Sequence, residues 1–157
     1  MVLSSALNAA ATTAASRWVV FACGGHLFGL PLHRTREILP PRPLTRLPGC
    51  GPEVAGLAGI RGRVVTVFDL GVRLTGAASG AQPEHRLLVV VVAGKRVAVL
   101  VDEIVAVTRE SEEVMPLDAE SLRPYDIDRT DVVGIGVHEE QPFLALDPDR
   151  ILAPLLT

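Results

Sequence analysis

From residue 18 onward the chain is a series of short apolar runs, each closed by a pair of turn-forming residues. Trp18–Cys23 (WVVFAC) precedes Gly24-Gly25 and a second run at 27–32 (LFGLPL). Further on, 87–92 (LLVVVV) precedes Ala93-Gly94 and a run at 96–101 (RVAVLV). Short runs rich in Val, Leu and Ile, broken by two residues that include glycine, predict strands joined as tight hairpins. No segment sustains the 3.6-residue periodicity of a long helix.

The pattern occurs twice. Gly25 aligns with Gly94 at an offset of 69 (94 minus 25), which places Trp18 on Leu87, Phe28 on Val97 and Ile38 on Val107. Gly56 aligns with Gly134, and Asp69 with Asp147, at an offset of 78 (134 minus 56). In that second pair GLAGIRGRVVTVFD matches GIGVHEEQPFLALD, with turns at Arg61-Gly62 and Glu139-Glu140 and an aspartate closing each return strand. The segment 76–83 (GAASGAQP) has the composition of a connector between the halves.

Isolated hairpins are marginal, and closing several short strands removes exposed edges. The expected fold is therefore all-β: two small barrels from an internal duplication, packed side by side. The first is expected at about 17–75 plus swapped terminal segments, the second at about 84–146. A single helical turn is expected within 48–56, with Pro52 at its first position, and a short C-terminal helix within 147–156, opened by Asp147 with Pro148 behind it.

Composition narrows the function more than the fold. Fifteen basic and 18 acidic residues give a net charge of −3, and aromatic residues make up only 4%. A basic, aromatic-bearing face for nucleic acid is not expected from such a chain. Hydrophobic residues reach 48%, yet the longest apolar stretch, near 87–93, falls well short of the roughly 18 residues of a membrane span. Residues 1–16 (MVLSSALNAAATTAAS) carry no Lys or Arg and no sustained apolar block, so they read as a disordered tail rather than a secretory signal, with the domain at 17–157.

Candidate chemistry is sparse. Cys23 and Cys50 do not form a CxxC unit and are expected as free thiols. His26, His33, His85 and His138 have no ligand spacing between them, so no metal or other cofactor is expected. No nucleophile elbow, phosphate loop or dinucleotide fingerprint is present, which points away from an enzyme. Asp69, Asp102 and Asp147 each follow an apolar strand, where a carboxylate ordinarily satisfies backbone donors in a turn; their convergence as a catalytic set is the weaker alternative.

In order, FACGGHLFGLPLHRTREIL, LPGCGPEVAGLAGIRGRVVTVFDL, LLVVVVAGKRVAVLVDEIVAV and VVGIGVHEEQPFLALDPDRIL closely resemble the CheW family, the adaptors that couple chemoreceptors to the CheA histidine kinase. The match runs from about Trp18 to Leu152. Its most specific pieces are 56–70 with Arg61-Gly62 and Asp69-Leu70, then Val101-Asp102-Glu103-Ile104, then Glu37-Ile38.

The resemblance implies two SH3-like barrels, no catalysis and a cytoplasmic place in a receptor and kinase array without membrane insertion. It implies that the chemoreceptor cytoplasmic tip binds in a groove between the barrels. Glu37 and Arg61 match a charged pair tied to receptor coupling, and Thr35, Gly56 and Ile60 would line the adjoining surface. The kinase would dock through its own CheW-like regulatory domain, barrel to barrel. Gly62, Asp69 and Asp102 are expected to be structural turn residues. Gly59 stands where the family usually has Asn, Thr35 where it has an aliphatic residue, and Thr66 where Pro is common. These departures are compatible with a divergent scaffold or competitor in a gliding or pilus chemosensory-like pathway; a small nucleic-acid-binding barrel is the remaining alternative.

Overall fold

Four two-residue turns set the architecture. Gly24-Gly25, Arg61-Gly62, Ala93-Gly94 and Glu139-Glu140 all have positive φ at both positions, between 48° and 81°, as a type I′ hairpin turn requires. Three of the pairs place glycine second, where that backbone carries no side-chain penalty.

A computed structural model describes residues 17–77, 84–109, 112–115, 117 and 131–156. The tail expected at 1–16 and most of the connector expected at 76–83 lie outside the described residues. The strands are β1 (Trp18–Cys23), β2 (His26–Pro31), β3 (Thr35–Leu39), β4 (Val54–Ile60), β5 (Arg63–Asp69), β6 (Arg86–Val92), β7 (Lys95–Val101), β8 (Glu103–Val107), β9 (Val114–Met115), β10 (Val132–His138) and β11 (Gln141–Leu146). Helix α1 (Leu70–Thr75) follows β5, and helix α2 (Pro148–Leu152) follows β11.

The duplication is visible in the pairing itself. The β1–β2 and β6–β7 hairpins keep one register at an offset of 69, Phe21 opposite Phe28 and Val90 opposite Val97. The register shift between Val54 and Gly56 in the β4–β5 pair recurs between Val132 and Gly134 in β10–β11, 78 residues on.

One sheet runs β8-β1-β2-β11-β10-β9 and the other β3-β6-β7-β5-β4. Each sheet therefore takes one hairpin from one half and its remaining strands from the other. Thus β3, β4 and β5, all within 17–75, share a sheet with β6 and β7, while β1 and β2 share one with β8 to β11. The parallel contacts β2–β11 and β5–β7 seal the exchange. A repeat pattern identifies copies, but it carries no information on which copy a strand pairs with.

Three apolar clusters hold the sheets. Trp18, Val20, Val114, Phe143 and Ala145 fill the first barrel, and Ala58, Ile60, Val65, Val67, Leu87, Val89 and Ala98 the second. The largest lies between them and takes Val19, Phe21 and Cys23 from β1 and Leu88, Val90 and Val92 from β6. Strands β1 and β6 thus bury both faces, which is why WVVF and LLVVVV are apolar throughout instead of alternating. Burial pushes the Cys23 thiol up to about 12, so it packs as a small apolar group; Cys50 is exposed, and both are free thiols.

Both helices begin on an aspartate. The Asp69 carboxylate accepts from the Val72 N–H at 3.3 Å, and Asp147 accepts from the Asp149 N–H at 3.0 Å, each satisfying a donor that the first turn leaves free. The segment 48–56 forms turns and the start of β4 instead of the expected helical turn, since it contains Gly49 and Gly51 and Val54 already pairs with Phe68. Arg34 joins the halves by donating to the Val91 carbonyl and to the Asp149 carboxylate, and Arg73 does so by donating to Asp131 at 2.7 Å.

Candidate functional site

The β4–β5 turn carries Arg61 outward at the end of the second barrel. Its guanidinium donates from Nε to both carboxylate oxygens of Glu37 at 2.9 and 3.0 Å, and from Nη2 to Oε1 at 2.7 Å. Glu37 lies on β3, at the opposite edge of that sheet from β4. A planar fork meeting a carboxylate in this way fixes geometry as well as charge.

The pair is asymmetric in exposure. The Arg61 side chain is 73% exposed and that of Glu37 18%. The hydrogen-bonded Arg61 guanidinium holds the Glu37 carboxyl below the usual carboxylate range, with further pull from Arg96 and Arg42. Glu37 is thus ionised at neutral pH, and the pair is intact there.

Glu37 and Arg61 border a depression of about 440 Å³ at the mouth of the second barrel, floored by Ile60, Val65 and Val89. Arg63, Lys95 and Arg96 complete its rim and Val64 adds an exposed apolar side chain. The shared apolar cluster packs the two sheets against each other, and the depression that holds the pair opens at the end of one barrel.

The remaining expected site residues lie elsewhere or face inward. Ile60 is 5% exposed and forms the floor. Gly56 is buried, and it offers no contact surface: with φ at 151°, a Cβ there would stand 2.7 Å from the Thr45 carbonyl oxygen, so the position serves the close approach of residues 44–45 to β4. Thr35 turns its hydroxyl back to donate to the Pro31 carbonyl at 3.3 Å. Gly62 supplies the second positive φ of the Arg61 turn. Asp102 accepts from the Gly24 N–H at 2.9 Å, tying the first hairpin turn to the second half. Of the departures, Gly59 is exposed with open space where a Cβ would stand.

Sequence reasoning missed Arg63, Lys95 and Arg96. For two of them the signal was available in the strand parity: Arg63 is in phase with the inward-facing Val65 and Val67, and Arg96 with Ala98. A charge that continues an inward-facing series marks the open end of a barrel. Among the described residues no group of three His, Cys, Asp or Glu is placed to hold a metal ion; His138 instead meets the Glu112 carboxylate at 2.8 Å.

Comparisons with known proteins agree with this architecture. The family model described as a CheW-like domain matches residues 17–155. Protein PilI of Pseudomonas aeruginosa is 32% identical, the alignment covering 83% of this chain and 72% of that protein. Chemotaxis protein CheW of Klebsiella aerogenes is 24% identical, over 96% of this chain and 90% of that one. The crystal structure of the scaffolding protein TtCheW from Thermoanaerobacter tengcongensis superposes with a TM-score of 0.75 at 22% identity, covering 87% of this chain and 91% of that one. The shared fold is that of two SH3-like barrels.

Proposed function

Because the chain belongs to the CheW-like family of scaffolds and adaptors, we propose that it couples chemoreceptors to a CheA-type histidine kinase without catalysing a reaction of its own. The observation that supports this reading is the Glu37–Arg61 pair, Arg61 held outward on a hairpin tip and Glu37 on β3, two residues that resemble the charged pair tied to receptor coupling in the family. In this reading the receptor's cytoplasmic tip meets Arg61 and Glu37, with Ile60 beneath them and Thr35 beside them. Gly56 contributes by shaping β4. The kinase's regulatory domain docks on a separate barrel surface. In this reading the protein works in the cytoplasm at membrane receptors through its partners; no helix among the described residues is long and apolar enough to cross a membrane.

The higher identity to PilI, 32% against 24% for the chemotaxis CheW, favours a pilus chemosensory-like pathway over a flagellar one. A competitor that occupies the kinase without bridging it to receptors is the second reading within the same family.

The expected result is direct binding of this protein to the regulatory domain of its cognate kinase in the absence of nucleotide, with no ATP turnover by the protein itself. Isothermal titration with that domain measures the first, and phosphate release the second. Failure to bind the kinase, combined with salt-sensitive binding to nucleic acid, would overturn the adaptor reading.

A further inference from the structure

The duplication provides an internal reference for the mouth of the second barrel. At offsets of 69 and 78, Val65, Ala58 and Ala98 of the second barrel correspond to Phe143, Gly136 and Gly29 of the first. The Phe143 ring fills the space those glycines leave: a Cβ on Gly136 would stand 2.3 Å from its Cζ, and one on Gly29 2.8 Å from its Cδ1. One barrel is thus plugged by an aromatic ring. The other has the smaller Val65 in place of the ring, with Ala58 and Ala98 where the first barrel has glycines, and an open depression above an apolar floor.

The rims differ as well. Arg61, Arg63, Lys95 and Arg96 set four cations against the single carboxylate of Glu37, in a chain whose net charge is −3. The matching positions of the first barrel hold Glu139, Gln141, His26 and Leu27, with Ala106 in place of Glu37. The positive rim is therefore a property of this one mouth and not of the repeated strand pattern. Arg63, Lys95 and Arg96 are exposed, and among the described residues none of them pairs with an acid. The cations surround an apolar floor, and no aromatic side chain lies among them to stack a base, which favours a protein ligand over nucleic acid.

We propose that the mouth of the second barrel receives an acidic segment of a partner protein, one that brings an apolar side chain onto Ile60, Val65 and Val89 and carboxylates to Arg63, Lys95 and Arg96. The inference rests on the receptor reading of Glu37 and Arg61 and gives that contact its chemistry: the receptor surface seated here is negatively charged around an apolar anchor.

The test titrates the cytoplasmic tip fragment of the cognate chemoreceptor against the parent protein, Arg63→Glu, Arg96→Glu and the transplanted plug Val65→Phe/Ala58→Gly/Ala98→Gly, at low and high salt. Thermal melts verify folding. Reversing a rim charge is expected to weaken binding on the order of tenfold, mainly through slower association, and to flatten its salt dependence. The plug is expected to weaken it as well; should the plugged variant fail to fold, the two charge reversals decide. If the fragment binds in an Arg61-dependent manner yet neither reversal nor salt changes its affinity, the acidic-segment proposal is wrong and the receptor reading stands. If the reversals abolish kinase-domain binding instead, the mouth has been given the wrong partner. Parent protein that binds the kinase domain but never the receptor fragment defeats both.

Discussion

Gly136→Ala is expected to destabilise the protein by about 2–3 kcal/mol, as overpacking of a close-fitted core does. The added Cβ would stand 2.3 Å from the Phe143 Cζ, and that ring sits in the filled interior of the first barrel with Trp18 and Val20. Phe143→Val alone should cost about 2–4 kcal/mol through lost burial and the cavity it leaves. The two together recreate the pairing that the second barrel already uses, Ala58 with Val65. The double variant should therefore cost less than the sum of the single ones, with a coupling of about 1 kcal/mol or more. Chemical denaturation of the four proteins measures the cycle. Strict additivity would mean that the ring and the glycine do not depend on each other, and the account of the plugged barrel would be wrong.

Arg61→Ala is expected to weaken receptor-fragment binding by more than about tenfold, the range of a binding hot spot, while the melting temperature moves by only a few degrees. A pair whose arginine is largely exposed on a hairpin tip adds little to folding, whereas a guanidinium presented to a partner is lost entirely on truncation. Glu37→Ala should act in the same direction. Binding of the kinase domain should survive both. The double reversal Glu37→Arg/Arg61→Glu separates two roles: if the charges only brace each other, it restores receptor binding, and if Arg61 meets the receptor itself, binding stays lost. The second outcome is expected, because Arg61 is the exposed member. The depressed pKa of Glu37 fixes the sign of the pH response. The ion pair is present above the usual carboxylate range and is lost only as pH falls through the lowered value, so binding should hold across neutral pH and fail on the acid side. Parent-like receptor binding by Arg61→Ala, or collapse of its fold, would contradict this assignment.

The hairpins were legible because their turns demand positive φ and the sequence places glycine at Gly25, Gly62 and Gly94. The two copies were legible because both the glycines and the closing aspartates repeat at fixed offsets. Helix α1 was not, although Asp147 was recognised as a cap: Asp69 occupies the same place in the repeat, but the six residues after it lack the proline that marks α2. Swapped terminal segments are expected from the sequence, but which strands exchange was hidden because apolar runs such as β1 and β6 bury both faces and so fit either partner. Glu37 and Arg61 lie 24 residues apart, and only the family resemblance brought them together on paper. Of their cationic neighbours, Arg63 and Arg96 follow from strand parity, which becomes readable once the inward face of each strand is known. Gly56 and Ile60 show the converse: both are buried and shape the surface from below.

Bridging of two partners is measured most directly by recruitment of the cognate kinase to membranes bearing its chemoreceptor, as the protein is added in increasing amounts. The kinase is expected to sediment with receptor membranes only when this protein is present, recruitment is expected to saturate with it, and Arg61→Ala is expected to abolish recruitment while still binding the kinase in solution. Kinase that sediments equally well without the protein, or that is released from the membranes as the protein is added, would contradict bridging.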